Sequence, residues 1–372
     1  MVEITNDEVE RYHRQLLLTE VGLEGQSKLK SSKVLVIGAG GLGSPILLYL
    51  AGAGIGTLGI VDGDSVEIIN LHRQIIHTSS STRVNKAESA KQAILALNPL
   101  INVEIYTEWL TSKSSELIVP KYDILVIATD NPESRYLISD LGVFYNKPVI
   151  SGSCVRWDGQ LTVFFKGPCL RCIFPVPTPR KALTRAADVG VLGPIPGILG
   201  TLQAIEVIKF ILGLDVMIGK MLIYDGLLTK FRIFNTRGKI PDCPACNGQI
   251  NPHEFDYPGF ITQVPPVRVN NERGISCEDL KQLINKDKVE IVDLRPANQF
   301  GISHLEGSKN VPAYEINKLA IHGSPNPLVF VDRNGAVAVD IAESMYDKGI
   351  ECSYLLGGLD AWSKANPEFL LF

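Results

Sequence analysis

The sequence carries no large surplus of either charge. Its 36 Lys and Arg stand against 40 Asp and Glu, a formal net charge of -4 with an isoelectric point near 5.9. That balance excludes a global basic surface, so no direct nucleic-acid partner is expected. No stretch reads as apolar over the length a bilayer requires, and no membrane association is expected. The opening residues, MVEITNDEVERYHRQ, are too charged for a secretory signal. Cysteine is scarce as well: there are seven, and four of them form two CxxC pairs. That usage suits a reducing compartment and a bound metal better than a disulfide framework, and a cytoplasmic protein is expected. A length of 372 residues allows two domains, each with its own core.

Against these absences stands one dense stretch, Lys33 to Asp64. An apolar run from Val34 to Ile37 reads as a buried parallel strand. Gly38, Gly40, Gly41 and Gly43 follow, then an apolar helix from Pro45 to Ala53 and a second strand from Thr57 to Val61, ending in Asp62. Strand, glycine turn, helix, strand and terminal acid form a nucleotide-binding βαβ unit. Glycines let the backbone approach phosphate, and the helix N-terminus offers unpaired N–H groups. The acid is placed to take ribose hydroxyls. Spacing alone leaves the nucleotide open, with NAD as the default.

The flanking segments narrow that choice. A helix is expected from Asn6 to Thr19, capped by Asn6 or Asp7, with Arg14 on its polar face. Beyond Asp62, a loop places Asp64, Asn70, Arg73 and Gln74 before Lys86 opens a helix reaching Leu97. Two cations beside a glycine turn suit a triphosphate better than a nicotinamide dinucleotide. Val103 to Thr107 and Ile124 to Thr129 read as strands, the second leading into Asp130-Asn131. Asp130 has two readings, a Mg2+ ligand at the sheet edge or the N-cap of the next helix.

Cys169 and Cys172, with Cys243 and Cys246, read as two knuckles completing a closed tetrahedral Zn2+ site; a redox pair is the competing reading. Such a site has no open position, so its expected role is stability. Phe174 to Val189 reads as a loop, and the segment after it as a long amphipathic helix. Cys154 follows an expected strand, Val149 to Gly152, as a packed thiol. Pro, Gly and aromatics from Asn251 to Val267 mark a linker. The expected division is 1–250, a linker at 251–270, and a smaller α/β domain at 271–372.

RYHRQ, GAGGLGS, DGD, INLHRQ, Lys86, TDN, SGS with GQLTVF, CLRC, ADVGVLGP and CPAC stand in order between Asn6 and Cys246. Together they resemble the MoeB/ThiF branch of the ubiquitin-activating-enzyme superfamily. The resemblance implies a Rossmann-like, ATP-binding adenylation domain acting with Mg2+ on the C-terminal glycine of a small β-grasp protein, a sulfur carrier or ubiquitin-like modifier. It implies that Gly38 to Gly43 line the phosphates and Asp62 holds the ribose. Arg73 and Lys86 neutralise the triphosphate, Asp130 binds Mg2+, and Arg14 reaches into the partner's site in a homodimer. Asp64, Asn70, Gln74 and Asn131 join the nucleotide site. Family members that form a covalent intermediate carry a cysteine where this chain has Ala186, so no thioester or persulfide is expected there.

The final hundred residues, with VDLRP, FGISHLEGSKNVP, PLVFVDRNG and LLGGLDAW, resemble a rhodanese domain. Active rhodaneses place a cysteine after the strand corresponding to Leu328 to Val331, and here Asp332 stands in its place. Val337 and Ala338 stand where an arginine and a hydroxyl are usual. Sulfurtransfer is therefore not expected. Asp293, Arg295 and His304 persist as caps or a polar cluster, and Cys352 reads as a buried strand thiol. The two resemblances together imply a role in tRNA thiolation and protein conjugation, or in molybdopterin synthesis. An NAD-dependent oxidoreductase and a non-catalytic scaffold for a β-grasp partner are the competing functions.

Overall fold

The computed structural model describes residues 2–177, 190–262, 273–286, 288–318 and 326–369; Ala186 lies outside them. The described residues fall into two units, the first ending at Ile261 and the second starting at Thr262.

In the first unit, α1 (Asn6–Leu16) is capped by Thr5, one residue before the expected cap. Thr5 Oγ1 accepts from Glu8 N and the Glu8 carboxylate accepts from Thr5 N, a reciprocal box that fixes the start. After α2 (Gly22–Ser31) come β1 (Lys33–Ile37), α3 (Gly43–Ala53), β2 (Thr57–Val61) and α4 (Lys86–Leu97). Then follow β3 (Asn102–Tyr106), α5 (Ser112–Ile118), β4 (Ile124–Ile127), α6 (Pro132–Phe144), β5 (Val149–Val155) and β6 (Asp158–Phe164). The unit continues with α7 (Leu170–Ile173), α8 (Pro194–Leu212), β7 (Lys220–Asp225), β8 (Lys230–Asn235) and α9 (Tyr257–Thr262).

Apolar runs with no polar alternation form β1, β2 and β4 because both faces of a parallel sheet are covered. The sheet order is β3-β2-β1-β4-β5-β6-β7-β8, parallel from β3 to β5 and antiparallel from there to β8. Leu47, Leu50, Ile94 and Leu199 fill the layer on one face, and Leu35, Tyr122, Ile138 and Leu141 that on the other. Ile37 pairs with both Val61 and Ile127, so Gly38, Asp62 and Ala128 leave the sheet side by side. The chain runs to opposite sides of β1 here, and α/β sheets bind ligands at such a point.

Two expectations need correction. Helix α8 is long and apolar enough to cross a membrane by length and composition, which the sequence reading denied for the whole chain. In the fold it packs on α3, β5 and β6, with Leu199, Gln203 and Val207 buried, as the core helix of this unit. The start of the expected linker is also packed. Tyr257 and Ile261 lie in the core beside Tyr136, and Tyr257 donates to Asp140 Oδ2 at 2.9 Å.

The second unit comprises β9 (Gly274–Ile275), α10 (Cys277–Asn285), β10 (Glu290–Asp293), α11 (Ala297–Ile302), β11 (Lys309–Asn310) and β12 (Leu328–Val331). It closes with α12 (Ala336–Tyr346), β13 (Cys352–Leu355) and α13 (Gly358–Ala365). All five strands are parallel, in the order β11-β10-β12-β13-β9. Val292, Phe330 and Ala342 pack on one face, and Val331, Leu355 and Trp362 on the other.

Candidate nucleotide, metal and anion sites

The turn after β1 needs glycine at its two ends. Gly38 has φ of 106°, and a Cβ there would meet the Ala128 carbonyl oxygen at 2.5 Å. At Gly43 a Cβ would collide with the Gly38 carbonyl, so the helix start and the strand end touch through bare backbone. Asp62, 4% exposed, braces this turn: Oδ2 accepts from Ala39 N at 2.7 Å and Oδ1 from Asp64 N at 2.9 Å. Burial pushes its carboxyl above the ordinary range, against those two bonds and the charge of Lys86.

Lys86 opens α4 under an Asn85 cap, and its ammonium lies 2.8 Å from Asp64 Oδ2. The ammonium is buried while its carboxylate partner is half exposed. Arg73 is half-buried; its Nη1 lies 3.3 Å from His72 Nε2, burial pulls its pKa down and the field of Asp130 opposes that. Gln74 is buried against Gly40, and its Oε1 has no hydrogen-bond partner among the described residues. Asn70 donates to Glu67 Oε2 at 3.0 Å.

The two readings of Asp130 separate in the structure. Asn131 caps α6, accepting from Glu133 N at 2.9 Å, so Asp130 is not the cap. Asn131, expected at the nucleotide, therefore spends its side-chain oxygen on the helix. Asp130 is exposed and takes no hydrogen bond among the described residues. Cys154 lies on β5 itself rather than after it; burial and the Asp130 charge push its thiol up to about 12.

Arg14 is exposed near the end of α1, far from these groups in its own chain. Its neighbours there fix the distance. Gln15 Nε2 donates to Ala53 O at 3.1 Å, and Arg11 Nη1 to Leu97 O at 3.0 Å. Those carbonyls end α3 and α4, whose N-termini carry the glycine turn and Lys86. The intervening helices are about 16 to 18 Å long, more than an arginine side chain spans.

The four knuckle cysteines converge. Cys169 Sγ lies 3.8 Å from Cys172, 3.5 Å from Cys243 and 3.6 Å from Cys246, and Cys172 lies 3.7 Å from Cys246. Metal–sulfur bonds of about 2.3 Å at tetrahedral angles place sulfurs about 3.8 Å apart, so the set fits one metal ion. Arg171, between the first pair, faces the other way. It holds Asp140 through Nε (3.0 Å) and Nη2 (2.8 Å), and its guanidinium lies 4.3 Å from the Phe260 ring centre. Both partners are buried.

In the second unit, Asp332 is 5% exposed at the end of β12. Oδ1 accepts from Gly335 N at 2.6 Å and Oδ2 from Val337 N at 3.0 Å. Burial still pushes the carboxyl up. Arg295 clamps Asp293 bidentately, with Nη2 2.6 Å from Oδ2, and both are buried. His304 stacks on Phe300 at 4.0 Å.

A family model described as the ThiF family matches residues 12–245. The chain belongs to the ThiF family. A second model, the rhodanese-like domain, matches residues 276–365. An adenylyltransferase and sulfurtransferase MOCS3 of Culex quinquefasciatus is 40% identical over 399 residues, covering 100% of this chain and 91% of that protein. The protein of the same name from Dictyostelium discoideum is 44% identical over 326 residues, covering 84% and 77%. Among solved structures, E. coli MccB with AMPCPP and MccA aligns with a TM-score of 0.57 and 25% identity, over 64% of this chain and 74% of that one.

This ThiF-family protein is accordingly an adenylyltransferase with a C-terminal rhodanese-like domain, and the nicotinamide reading of the glycine turn falls away. Sequence reasoning passed over two residues at its site. Arg135, on the first turns of α6, donates to Ser151 Oγ at 3.4 Å; burial lowers its pKa and Asp130 opposes that. His77 is buried between the glycine turn and α4. Arg135 follows Asp130 by little more than one helical turn, which was a usable signal. His77 had only its place in the loop before Lys86.

Proposed function

We propose that this enzyme uses MgATP to adenylate the C-terminal glycine of a small β-grasp carrier, as a cytoplasmic homodimer holding one structural Zn2+ per chain. The observation that carries the reading is the convergence of the glycine turn, Lys86, Arg73 and a carboxylate with no hydrogen bond among the described residues, Asp130, at one sheet edge. The carrier's carboxylate oxygen attacks the α-phosphorus and pyrophosphate leaves with the electrons of the broken P–O bond. Arg73 and Lys86 offset the charge that builds up on the phosphates, and Asp130 is free to hold Mg2+. The distance between Arg14 and its own glycine turn supports donation across a dimer. The exposed apolar residues Phe231 and Ile233, which share one face of β8, offer a surface for the carrier. With Ala186 and Asp332 at the two cysteine positions, the chain stops at the acyl-adenylate, and sulfur comes from elsewhere. The carrier's pathway is tRNA thiolation and protein conjugation, or molybdopterin synthesis.

The test is exchange of labelled pyrophosphate into ATP in the presence of a glycine-ended β-grasp protein. Asp130→Ala should lower exchange by about 100-fold or more while circular dichroism stays unchanged. Exchange within a few-fold of the parent would sink the assignment.

A further inference from the structure

Ala39, in the middle of the glycine turn, is held on both sides of its backbone. Its N–H goes to Asp62 Oδ2 at 2.7 Å, and its carbonyl oxygen lies 2.9 Å from Nε2 of His77. The second contact is assigned to no function by the reading above. His77 is 5% exposed, and its other ring nitrogen, Nδ1, lies 2.9 Å from Ser89 Oγ.

The chemistry fixes the proton. A carbonyl oxygen only accepts, so Nε2 carries the hydrogen and Nδ1 is the lone pair; the Ser89 hydroxyl donates to it. Burial favours this neutral ring by pushing its pKa down, and Lys86 acts in the same direction. Ser89 lies one turn beyond Lys86 on the same face of α4. His77 also ends the turn that carries Arg73 and Gln74: Gln74 N donates to Asn70 O at 3.0 Å and His77 N to Gln74 O at 3.1 Å. One imidazole thus bonds directly to the phosphate turn and to the helix of Lys86 while ending the loop of Arg73.

We propose that His77 is a positioning residue of the nucleotide site, setting the glycine turn, Arg73 and Lys86 in register for the triphosphate. The inference rests on the reading that ATP binds at this turn. Ala39 lies between Gly38 and Gly40, two residues with little conformational preference of their own. Asp62 alone fixes its N–H but leaves the carbonyl free to swing. The ring removes that freedom and ties its direction to α4. Pre-ordering of this kind appears as ligand affinity, because the turn has less freedom to lose when phosphate arrives.

The experiment uses the full-length protein, with MgATP titrated calorimetrically and amide hydrogen exchange followed across residues 38–43 and 86–90. His77→Phe keeps the ring volume and removes both bonds; ATP affinity should fall about tenfold or more, the equivalent of one to two hydrogen bonds. Exchange should rise in both segments together. His77→Gln restores a donor toward Ala39 and should recover most of the affinity. Ser89→Ala is small enough to fold in any case, and should weaken ATP binding by about threefold through loss of the fixed tautomer. A Phe variant that binds ATP like the parent overturns the proposal, as does a Gln variant no better than Phe. If the Phe variant does not fold, parent-like affinity in Ser89→Ala with unchanged exchange at residues 38–43 overturns it. Failure of the unaltered protein to bind MgATP at all would instead refute the reading of the site, and this inference with it.

Discussion

The carboxylate of Asp332 lies 2.6 Å from the backbone nitrogen of Gly335 and so fills the anion cradle made by its own loop. A second N–H, from Val337, closes on the other oxygen. Successive backbone N–H groups of this kind bind anions. Here the anion is covalently built in, where a persulfide would otherwise stand.

The first prediction follows from that occupancy. The unaltered protein should form no thiocyanate from thiosulfate and cyanide above a no-protein control. Asp332→Cys together with Val337→Arg should recover measurable turnover, since the cradle's donors are freed and a cation is added. Ala338 is fully buried, so adding a hydroxyl there is better avoided than the sequence alone implies. Turnover by the unaltered chain would refute the argument.

The second concerns metal. Elemental analysis should find about one Zn2+ per chain, given the four converging sulfurs. Because Arg171 sits inside the first knuckle, chelation should release its hold on Asp140 and raise amide exchange across residues 255–262. Asp140→Ala, which leaves the guanidinium buried and unpaired, should cost about 3–5 kcal/mol in chemical denaturation. Full stability after chelation would separate the knuckles from the clamp.

Subunit mixing makes the third. If Arg14 serves the partner's site, Arg14→Ala mixed with Asp130→Ala forms a dimer with one whole site. Random exchange should then recover about a quarter of parental ATP–pyrophosphate exchange from two inactive proteins. No recovery, with exchange of subunits proven by mass, would make Arg14 structural.

The fourth is a pH dependence. The pKa of buried His77 is held below its ordinary 6.5, so as pH falls the unfolded chain takes up the proton first. Stability from this group is fully present above about pH 6.5 and is lost as pH falls toward the folded pKa. Asp62, raised by burial and reaching the same turn through Ala39, titrates with the opposite sign. It cancels in a comparison of the parent with His77→Gln. The parent's unfolding midpoint should therefore drop more steeply between pH 7 and 5.5 than the variant's; parallel curves would refute it.

The parallel strands were legible because buried strands leave unbroken apolar runs, and β2, α4 and β12 lie where the sequence placed them. The glycine turn was legible because close backbone approach admits no side chain at Gly38 or Gly43. What stayed hidden depended on contacts distant in sequence. The cap of α1 went to Thr5 because Glu8 completes a reciprocal pair, a choice composition does not reveal. The stretch 251–262 looked like a linker because proline and aromatics punctuate loops; it packs because Arg171 and Asp140, both far earlier in the chain, present it with a cation and an acid. His77 carries no motif, and its importance is visible only once Ala39 and Ser89 lie on either side of the ring.

Strand β8 is the sheet's last, and all six of its residues are exposed, Phe231, Ile233 and Phe234 among them. Among the described residues no strand pairs with its outer backbone edge, and no proline or bulge blunts it. Lys230 and Arg232, alternating with Phe231 and Ile233, provide the local charge repulsion. Colloidal behaviour should therefore be salt-sensitive: a concentrated sample that stays clear at low ionic strength should cloud first as salt screens those two charges. On the proposed carrier-binding role of this strand, the exposure that would serve recognition also invites self-association.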